Sequence, residues 1–183
     1  MSTPPPTSKP SISVPPADIA LLALDVDGVL TDGSIWLDRE GHELKRYYAA
    51  DGVALRTWGR LGLQSAVITG RTSTSLLHRL AELGVPHVTQ GSKDKAAALK
   101  DLERASGVPA ARMAFLGDDW PDLPVLRRVG YPMAVGDAAR EVKALAKFVT
   151  PRDGGRGAVR DAVEHLLAGM GLLSKAVALY DQP

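Results

Sequence analysis

The chain has 183 residues, 45% of them hydrophobic and 23% charged, with a formal net charge of +1, as expected for one soluble globular domain. The balanced charge gives no basic surface for nucleic acid, no apolar run is long enough to span a membrane, and the N-terminus lacks a signal-peptide pattern. We therefore expect a cytoplasmic protein without nucleic-acid or membrane partners. Because cysteine is absent, disulfides, thiolate catalysis and cysteine-ligated metal sites are excluded.

Three segments are expected along the chain. Residues 1–17 are predicted to be a disordered arm, because six of the 13 prolines fall among serines and threonines in this stretch. Residues 18–170 have the apolar patterning of a single folded domain. Residues 171–183 form a mildly apolar tail that is either frayed or docked on a neighbour.

Short apolar runs alternate with amphipathic segments throughout the predicted domain. The predicted strands span residues 20–26, 64–69, 87–90, 113–116, 131–135 and 148–150. The predicted helices span residues 51–61, 72–83, 92–106, 119–129, 137–146 and 157–167. The predicted C-caps are Gly62, Gly84, Gly107 and Gly130, and the predicted N-caps are Ser92 and Asp137. This alternation predicts an α/β fold with a parallel sheet covered on both faces, a three-layer doubly wound, Rossmann-like domain.

One segment, about residues 33–48, departs from the alternation and is predicted to be a β-hairpin flap. Two stretches rich in apolar residues flank the polar turn at residues 38–41. The apolar side chains of the flap are Ile35, Trp36, Leu37, Leu44, Tyr47 and Tyr48. Because an isolated hairpin is only marginally stable in water, we expect this apolar surface to be buried, either against the same domain or against other subunits.

Polar side chains follow three of the predicted strands at the points where the strands end. They are Asp25 and Asp27 after the first strand, Thr69, Gly70 and Arg71 after the second, and Asp118, Asp119 and Asp122 after the fourth. In open parallel sheets ligands bind at this edge. Each feature also has a plain structural interpretation, as a helix cap, a first-turn acid or a turn. Their shared position at strand ends favours one common site.

The residue types in this set suit phosphate and cation chemistry. Carboxylates such as Asp25 and Asp118 are the ligands that Mg²⁺ prefers, and a carboxylate can also attack phosphorus. The Thr69 hydroxyl and amides at a helix N-terminus can hold phosphate oxygens, and a lysine can neutralise the transferring group. Lys95 shares a helical stripe with Leu99, which predicts that it points inward, although a surface lysine would be the alternative.

The ordered motifs D-V-D-G-V, T-G-R, Lys95 and G-D-D-W-P-D resemble those of the haloacid dehalogenase superfamily of phosphohydrolases. The resemblance implies that Asp25 is the nucleophile and that Asp27 is the general acid and then the general base. It implies phosphate binding by Thr69, Gly70 and Lys95. It also implies Mg²⁺ binding by Asp25, the Asp27 main-chain carbonyl and Asp118, with support from Asp119 and Asp122.

The spacing of these motifs narrows the resemblance to a capless subclass, because neither interval that could hold a cap domain is long enough. The chain resembles the 3-deoxy-D-manno-octulosonate 8-phosphate phosphatases, which are capless tetramers of lipopolysaccharide precursor synthesis. The additional matching segments are G-H-E-L-K at 41–45, D-G at 51–52, I-T-G-R at 68–71, Q-G at 90–91 and G-G-R-G-A-V-R at 154–160. The resemblance implies a Mg²⁺-dependent phosphomonoesterase acting through an aspartyl-phosphate, assembled as a homotetramer through its hairpins.

One departure from the family pattern bears on the substrate. Ala50 stands where the family usually has a basic residue before Asp51-Gly52. Arg71, Asp51 and Arg156 are the candidate contacts for a phosphorylated sugar acid, and Arg160 could also compensate for Ala50. The alternatives are a phosphatase for another sugar phosphate, such as a nonulosonate 9-phosphate, and a non-catalytic structural or regulatory homologue.

The glycine-rich segment at 154–157 has two interpretations. It could be an anion-binding start to the last helix of the domain, or an ordinary flexible loop before that helix.

Overall fold

The computed structural model describes residues 17–181, so most of the predicted N-terminal arm lies outside the described residues. Six parallel strands form one sheet in the order β5-β4-β1-β6-β7-β8. They are β1 (Leu21–Leu24), β4 (Gln64–Ile68), β5 (His87–Thr89), β6 (Met113–Gly117), β7 (Tyr131–Ala134) and β8 (Phe148–Val149). A separate antiparallel pair is formed by β2 (Trp36–Leu37) and β3 (Glu43–Leu44). The predicted doubly wound α/β fold is confirmed.

The central strand β1 explains where a site can form. All four of its residues are buried, as expected for a parallel strand covered on both faces. Leu24 lies beside Val67 of β4 and Leu116 of β6, so these three strands end at the same level. The chain leaves β1 towards β4 on one side and returns to β6 on the other. The carboxyl end of β1 is therefore the switch point of the sheet.

Seven helices accompany the strands in the described part of the chain. They are α1 (Ala49–Arg60), α2 (Thr74–Leu83), α3 (Lys95–Ser106), α4 (Leu123–Leu126), α5 (Arg140–Leu145), α6 (Ala158–Gly169) and α7 (Leu173–Ala178). One layer contains α1, which packs against α2, α6 and β4, while in the other α3 packs against α4 and α4 against α5. Within residues 17–181 no helix combines the length and the apolar character needed to cross a membrane.

Two predicted helices are shorter than expected. The segment predicted as a helix over 119–129 forms a 3₁₀ turn at Trp120–Asp122 and then the single turn of α4. Its prolines lack the N–H groups that a longer helix would need. The helix predicted from residue 137 begins at Arg140, because the Asp137 carboxylate accepts a hydrogen bond from the Gly154 amide instead of capping α5.

The predicted caps are confirmed in part. Gly84 and Gly107 end α2 and α3 in the left-handed conformation. Gly62 has a positive φ one residue beyond the C-cap of α1, whereas Gly130 lies well past the end of α4. The prediction of Ser92 as an N-cap is wrong. The Asp94 side chain caps α3 by accepting hydrogen bonds from the amides of Ala96 and Ala97.

The described part of the C-terminal tail forms α7 and packs on its own chain. Ala176 is buried, and the Tyr180 hydroxyl lies 2.8 Å from the Thr57 hydroxyl of α1. The Arg60 guanidinium lies over the Tyr180 ring. The sequence predicts a tail that is either frayed or docked on a neighbour. Residues 173–180 are not frayed, and they pack on α1 and α6 of the same chain.

Candidate active site

Lys95 connects the two acidic loops at the switch point. Its ammonium group lies 2.8 Å from Asp25 Oδ2 and 2.7 Å from Asp122 Oδ1. The other Asp122 oxygen accepts a hydrogen bond of 3.0 Å from the Asp118 amide. Lys95 is buried at the first turn of α3, which confirms that it points inward. Asp122 therefore holds both the lysine and the loop that carries Asp118.

A cavity of about 420 Å³ opens at this edge of the sheet, and most of the predicted site residues line it. Those lining it are Asp25, Asp27, Thr69, Gly70, Arg71, Lys95, Asp118 and Asp119. Thr69 is buried, and its hydroxyl accepts a hydrogen bond from the Arg71 amide. Asp119 is exposed at the cavity, whereas Asp122 is fully buried behind it.

Two carboxylate oxygens in this cavity fit a metal ion. Asp25 Oδ1 and Asp118 Oδ1 are buried and have no hydrogen-bond partner. A ligand atom from each of Asp25, Asp118 and Asp122 lies within 4.8 Å of the others. Buried acceptors without a donor are costly, and hard oxygen ligands at this spacing suit a divalent cation such as Mg²⁺. The contribution of the Asp27 main-chain carbonyl stays a prediction.

The pKa values of Asp25 and Asp118 are both raised, because these carboxyls are buried close to other negative charges. Burial, and then repulsion from Asp25 and Asp122, raises the pKa of Asp118 to about 8. Burial, and then repulsion from Asp122, raises the pKa of Asp25 to about 6, although Lys95 acts in the opposite direction. Burial disfavours the charged form of Lys95, but the attraction of both neighbouring carboxylates outweighs it and raises the lysine pKa. A cation bound here would relieve the repulsion between the acids.

Glycines allow the loops around the site to approach one another closely. Gly28 has φ +88°, and a Cβ atom built there would lie 2.1 Å from Asp118 Oδ2. A Cβ atom on Gly154 would lie 1.7 Å from the Gly28 carbonyl oxygen, and the Gly155 amide donates a hydrogen bond to the Val29 carbonyl. The glycine-rich segment thus supports the loop that carries Asp25 and Asp27 through backbone contacts.

The flap supplies residues that were not among the predicted site residues. The Lys45 ammonium is in contact with Asp27 Oδ1, and Glu43 pairs with both Lys45 and Arg71. Burial acts to raise the pKa of Glu43, but the hydrogen bonds and positive charges of Arg71 and Lys45 together outweigh it and lower the pKa. Glu43 and Lys45 are two positions apart in an extended strand, so they share a face. That spacing was the signal in the sequence, but it does not reveal which face meets the site.

The candidate substrate contact Asp51 has a structural role instead. It is buried, and its carboxylate accepts hydrogen bonds from the amides of Gly157 (3.3 Å) and Arg160 (2.8 Å). Burial raises its pKa, although these amides partly offset the effect. The N-terminus of α6 does hold an anion, and that anion is the Asp51 side chain. Asp51 therefore offers no free group to a substrate, and this assignment is corrected.

Replacing Asp51 with alanine is expected to lower the free energy of unfolding by about 1–3 kcal/mol, because two amides of α6 would lose their acceptor inside the protein. Chemical denaturation measures this loss. Asp101→Ala, which removes an exposed acid of α3, is the control and should change stability by less than about 0.5 kcal/mol. Equal effects of the two substitutions would contradict the capping role.

The remaining arginine candidates lie at the edge of the flap or on α6. Arg156 is exposed, and its guanidinium is 3.8 Å from Asp32, which also pairs with Arg46 of the flap. Arg160 pairs with Glu164 along α6. Neither lines the 420 Å³ cavity, whereas Arg71 does. The structure therefore brings Arg71 to the site and leaves Arg156 and Arg160 outside it.

Comparison with known proteins gives consistent similarities. The family model of haloacid dehalogenase-like hydrolases matches residues 81–162. The chain is 39% identical to the 3-deoxy-D-manno-octulosonate 8-phosphate phosphatase KdsC of Salmonella typhimurium, over 91% of this chain and 89% of that protein.

Solved structures of similar proteins have the same fold. The Moraxella catarrhalis 3-deoxy-D-manno-octulosonate 8-phosphate phosphatase, solved in complex with magnesium, phosphate and KDO, has a TM-score of 0.87 and 36% identity, covering 90% of this chain and 94% of that one. A cobalt-bound deoxy-D-mannose-octulosonate 8-phosphate phosphatase from Haemophilus influenzae has a TM-score of 0.84 and 34% identity, covering 88% and 98% of the two chains.

Proposed function

Because this chain belongs to the family of haloacid dehalogenase-like hydrolases that includes these 3-deoxy-D-manno-octulosonate 8-phosphate phosphatases, we propose that it is a Mg²⁺-dependent phosphomonoesterase. Its proposed reaction converts 3-deoxy-D-manno-octulosonate 8-phosphate to the free sugar acid and phosphate. The observation that carries the proposal is the pair of buried, unpartnered oxygens of Asp25 and Asp118 beside Lys95 at the switch point.

The proposed chemistry has two displacements at phosphorus. In the first, an Asp25 oxygen forms a bond to phosphorus, the ester bond breaks, and Asp27 gives a proton to the departing alkoxide. In the second, Asp27 takes a proton from water as the water oxygen attacks phosphorus and releases Asp25. Lys95 and the Thr69 hydroxyl hold the phosphoryl oxygens. A bound Mg²⁺ would supply positive charge next to the transferring group and to Asp25 and Asp118.

The choice of substrate rests on the relatives and on the charges around the cavity. Arg71 lines the cavity, and Lys93 lies exposed at the same opening. Both could attract an anionic sugar acid. Ala50 stands where a basic residue is expected for this substrate, which leaves Arg71 and Lys93 as the exposed cations at the cavity. An octulosonate substrate would connect the enzyme with lipopolysaccharide synthesis.

A panel of phosphate esters, assayed with Mg²⁺ and with excess chelator, tests the proposal. We expect Mg²⁺-dependent phosphate release and the highest kcat/KM for 3-deoxy-D-manno-octulosonate 8-phosphate. A higher kcat/KM for a nonulosonate 9-phosphate or another sugar phosphate would support the phosphatase activity but identify a different substrate. Absence of turnover on every ester would contradict the enzymatic proposal and favour a non-catalytic homologue.

We also propose that the chain assembles as a homotetramer through its flaps. The flap leaves apolar side chains in solvent, among them Trp36, which is 59% exposed, and Leu44, which is 60% exposed. An exposed apolar patch of this kind is typical of an interface, and pairing of flaps from several copies would bury it.

Replacing Trp36 and Leu44 together with serine is expected to convert the tetramer to smaller species, as measured by light scattering at micromolar concentration. The control is Val177→Ser, which removes an exposed apolar side chain of α7 and should leave the molar mass unchanged. A wild-type protein that is already monomeric under these conditions would rule out the assembly.

A further inference from the structure

The inner face of the flap is charged although its outer face is apolar. Along β3 and the residues after it, Glu43, Lys45 and Tyr47 are partly buried, while Leu44 and Arg46 are exposed. This alternation is that of an extended strand that turns Glu43, Lys45 and Tyr47 towards the domain. The Lys45 side chain is only 4% exposed, which is unusual for a lysine and calls for paired charges.

Lys45 pairs with two carboxylates, those of Asp27 and Glu43. Its ammonium group contacts Asp27 Oδ1 and lies 3.2 Å from Glu43 Oε2. On the other side, Arg71 Nε lies 3.8 Å from Asp27 Oδ2, and the same guanidinium pairs with Glu43. Within residues 17–181, Lys45 and Arg71 are the groups that hold the Asp27 carboxylate, and Lys45 is much the more buried of the two.

The contact is made by a lysine outside the cavity lining. Asp27 lines the cavity, whereas Lys45 is buried and does not, so the lysine holds the carboxylate without itself facing the cavity. The Asp27 side chain is 22% exposed, and among the described residues its carboxylate is held by Lys45 and Arg71 rather than by a backbone amide. Its direction therefore depends on these two cations. Because Lys45 belongs to the flap, the flap fixes the group that is proposed to transfer the proton.

We infer that Lys45 is a positioning residue that orients Asp27 for proton transfer to the leaving group. The inference rests on the proposed phosphatase function and assigns a role to a flap residue that does not line the cavity and that pairs with Asp27 and Glu43 rather than with Asp25 or Asp118. In the step affected, Asp25 bonds to phosphorus, the bond from phosphorus to the ester oxygen breaks, and the Asp27 proton moves to that oxygen. A misdirected Asp27 would leave an unprotonated alkoxide as the leaving group.

The leaving group therefore provides the test. A sugar alkoxide is a poor leaving group and needs the proton, whereas p-nitrophenolate leaves without one. Because kcat/KM reports the first displacement, it isolates this step. For Lys45→Met, we expect kcat/KM to fall about 30-fold or more with the sugar phosphate and only about threefold with p-nitrophenyl phosphate. KM for the sugar phosphate should change less than kcat.

Three further variants complete the experiment. Asp27→Asn should show the same dependence on the leaving group, and adding Lys45→Met to it should cause little further loss. Lys45→Arg should recover part of the sugar-phosphate activity, because it restores a cation beside Asp27. Arg46→Gln is the matched control, since it removes a neighbouring flap cation that pairs with Asp32 and not with Asp27. Thermal unfolding should show that all of these variants are folded.

The outcomes separate the two proposals. Equal losses with both substrates, or no loss in Lys45→Met, would overturn the positioning role while the phosphatase function stands. Full additivity of Lys45→Met and Asp27→Asn would overturn it as well. If the wild-type protein hydrolyses neither ester, the proposed function itself has failed.

Discussion

Replacing Asp25 with asparagine is expected to lower kcat by on the order of 10⁴-fold or more, because the amide cannot form the bond to phosphorus. The substitution keeps the size and shape of the side chain and an oxygen that can face Lys95. The native fold should therefore persist. Phosphate release under saturating substrate and Mg²⁺ measures the loss, and circular dichroism with thermal unfolding measures the fold.

Mass spectrometry of rapidly quenched protein provides a second measurement for Asp25. The wild-type protein should carry a phosphoryl group on the peptide that contains Asp25 during turnover, and Asp25→Asn should carry none. A variant that retained more than a tenth of the wild-type kcat would contradict nucleophilic attack by this residue. Loss of activity together with loss of the folded state would call for Asp25→Ser as a second variant, with the same expected result.

The site residues contributed by the sheet could be predicted because topology brings them together. Asp25, Thr69 and Asp118 follow strands that end at one level, and a parallel sheet places such residues at the same edge. Lys95 was predictable from its helical stripe, because the apolar residues of that stripe must face the core. In these cases local periodicity and the general rules of the fold determine the position.

Residues whose partners are distant in the chain were not predictable in the same way. Asp51 precedes its amide partners Gly157 and Arg160 by more than a hundred positions, and no local pattern connects them. Lys45 belongs to a hairpin whose alternation defines two faces but not the one that meets the site. The short helix α4 shows a further limit, since a helix beginning at residue 119 would place Pro124 in its interior, where its missing N–H cannot donate.

The support of the catalytic loop by Gly154 and Gly155 could be predicted only in part. Repeated glycines indicated either a flexible segment or a place where backbone approaches an anion. The close approach is made to another piece of backbone, at Gly28 and Val29, and the anion at the start of α6 is a side chain of the same protein. Both partners come from the other end of the chain, so only the folded structure reveals them.

Replacing Asp118 with asparagine is expected to abolish the response to Mg²⁺ and, without metal, to make the protein more stable. In the metal-free wild type, Asp118 shares its surroundings with Asp25 and Asp122, and its pKa rises from 3.8 to about 8. A carboxyl with a raised pKa binds more protons when folded than when unfolded, so its charge lowers stability as the pH rises between these two values. Asparagine carries no such charge.

The excess stability of Asp118→Asn should therefore be small near pH 4 and grow towards pH 8, where it should reach at least about 1 kcal/mol. Denaturation with chelator across this range measures it. Adding Mg²⁺ should raise the wild-type melting temperature, because a ligand that binds only the folded state stabilises it, and should leave the variant nearly unchanged. Asp101→Asn, which removes an exposed carboxylate of α3 away from the cavity, is the control and should keep the Mg²⁺ response. If Asp118→Asn were less stable than the wild type without metal, the repulsion argument would be wrong, and a full Mg²⁺ response in the variant would refute the role of Asp118 as a metal ligand.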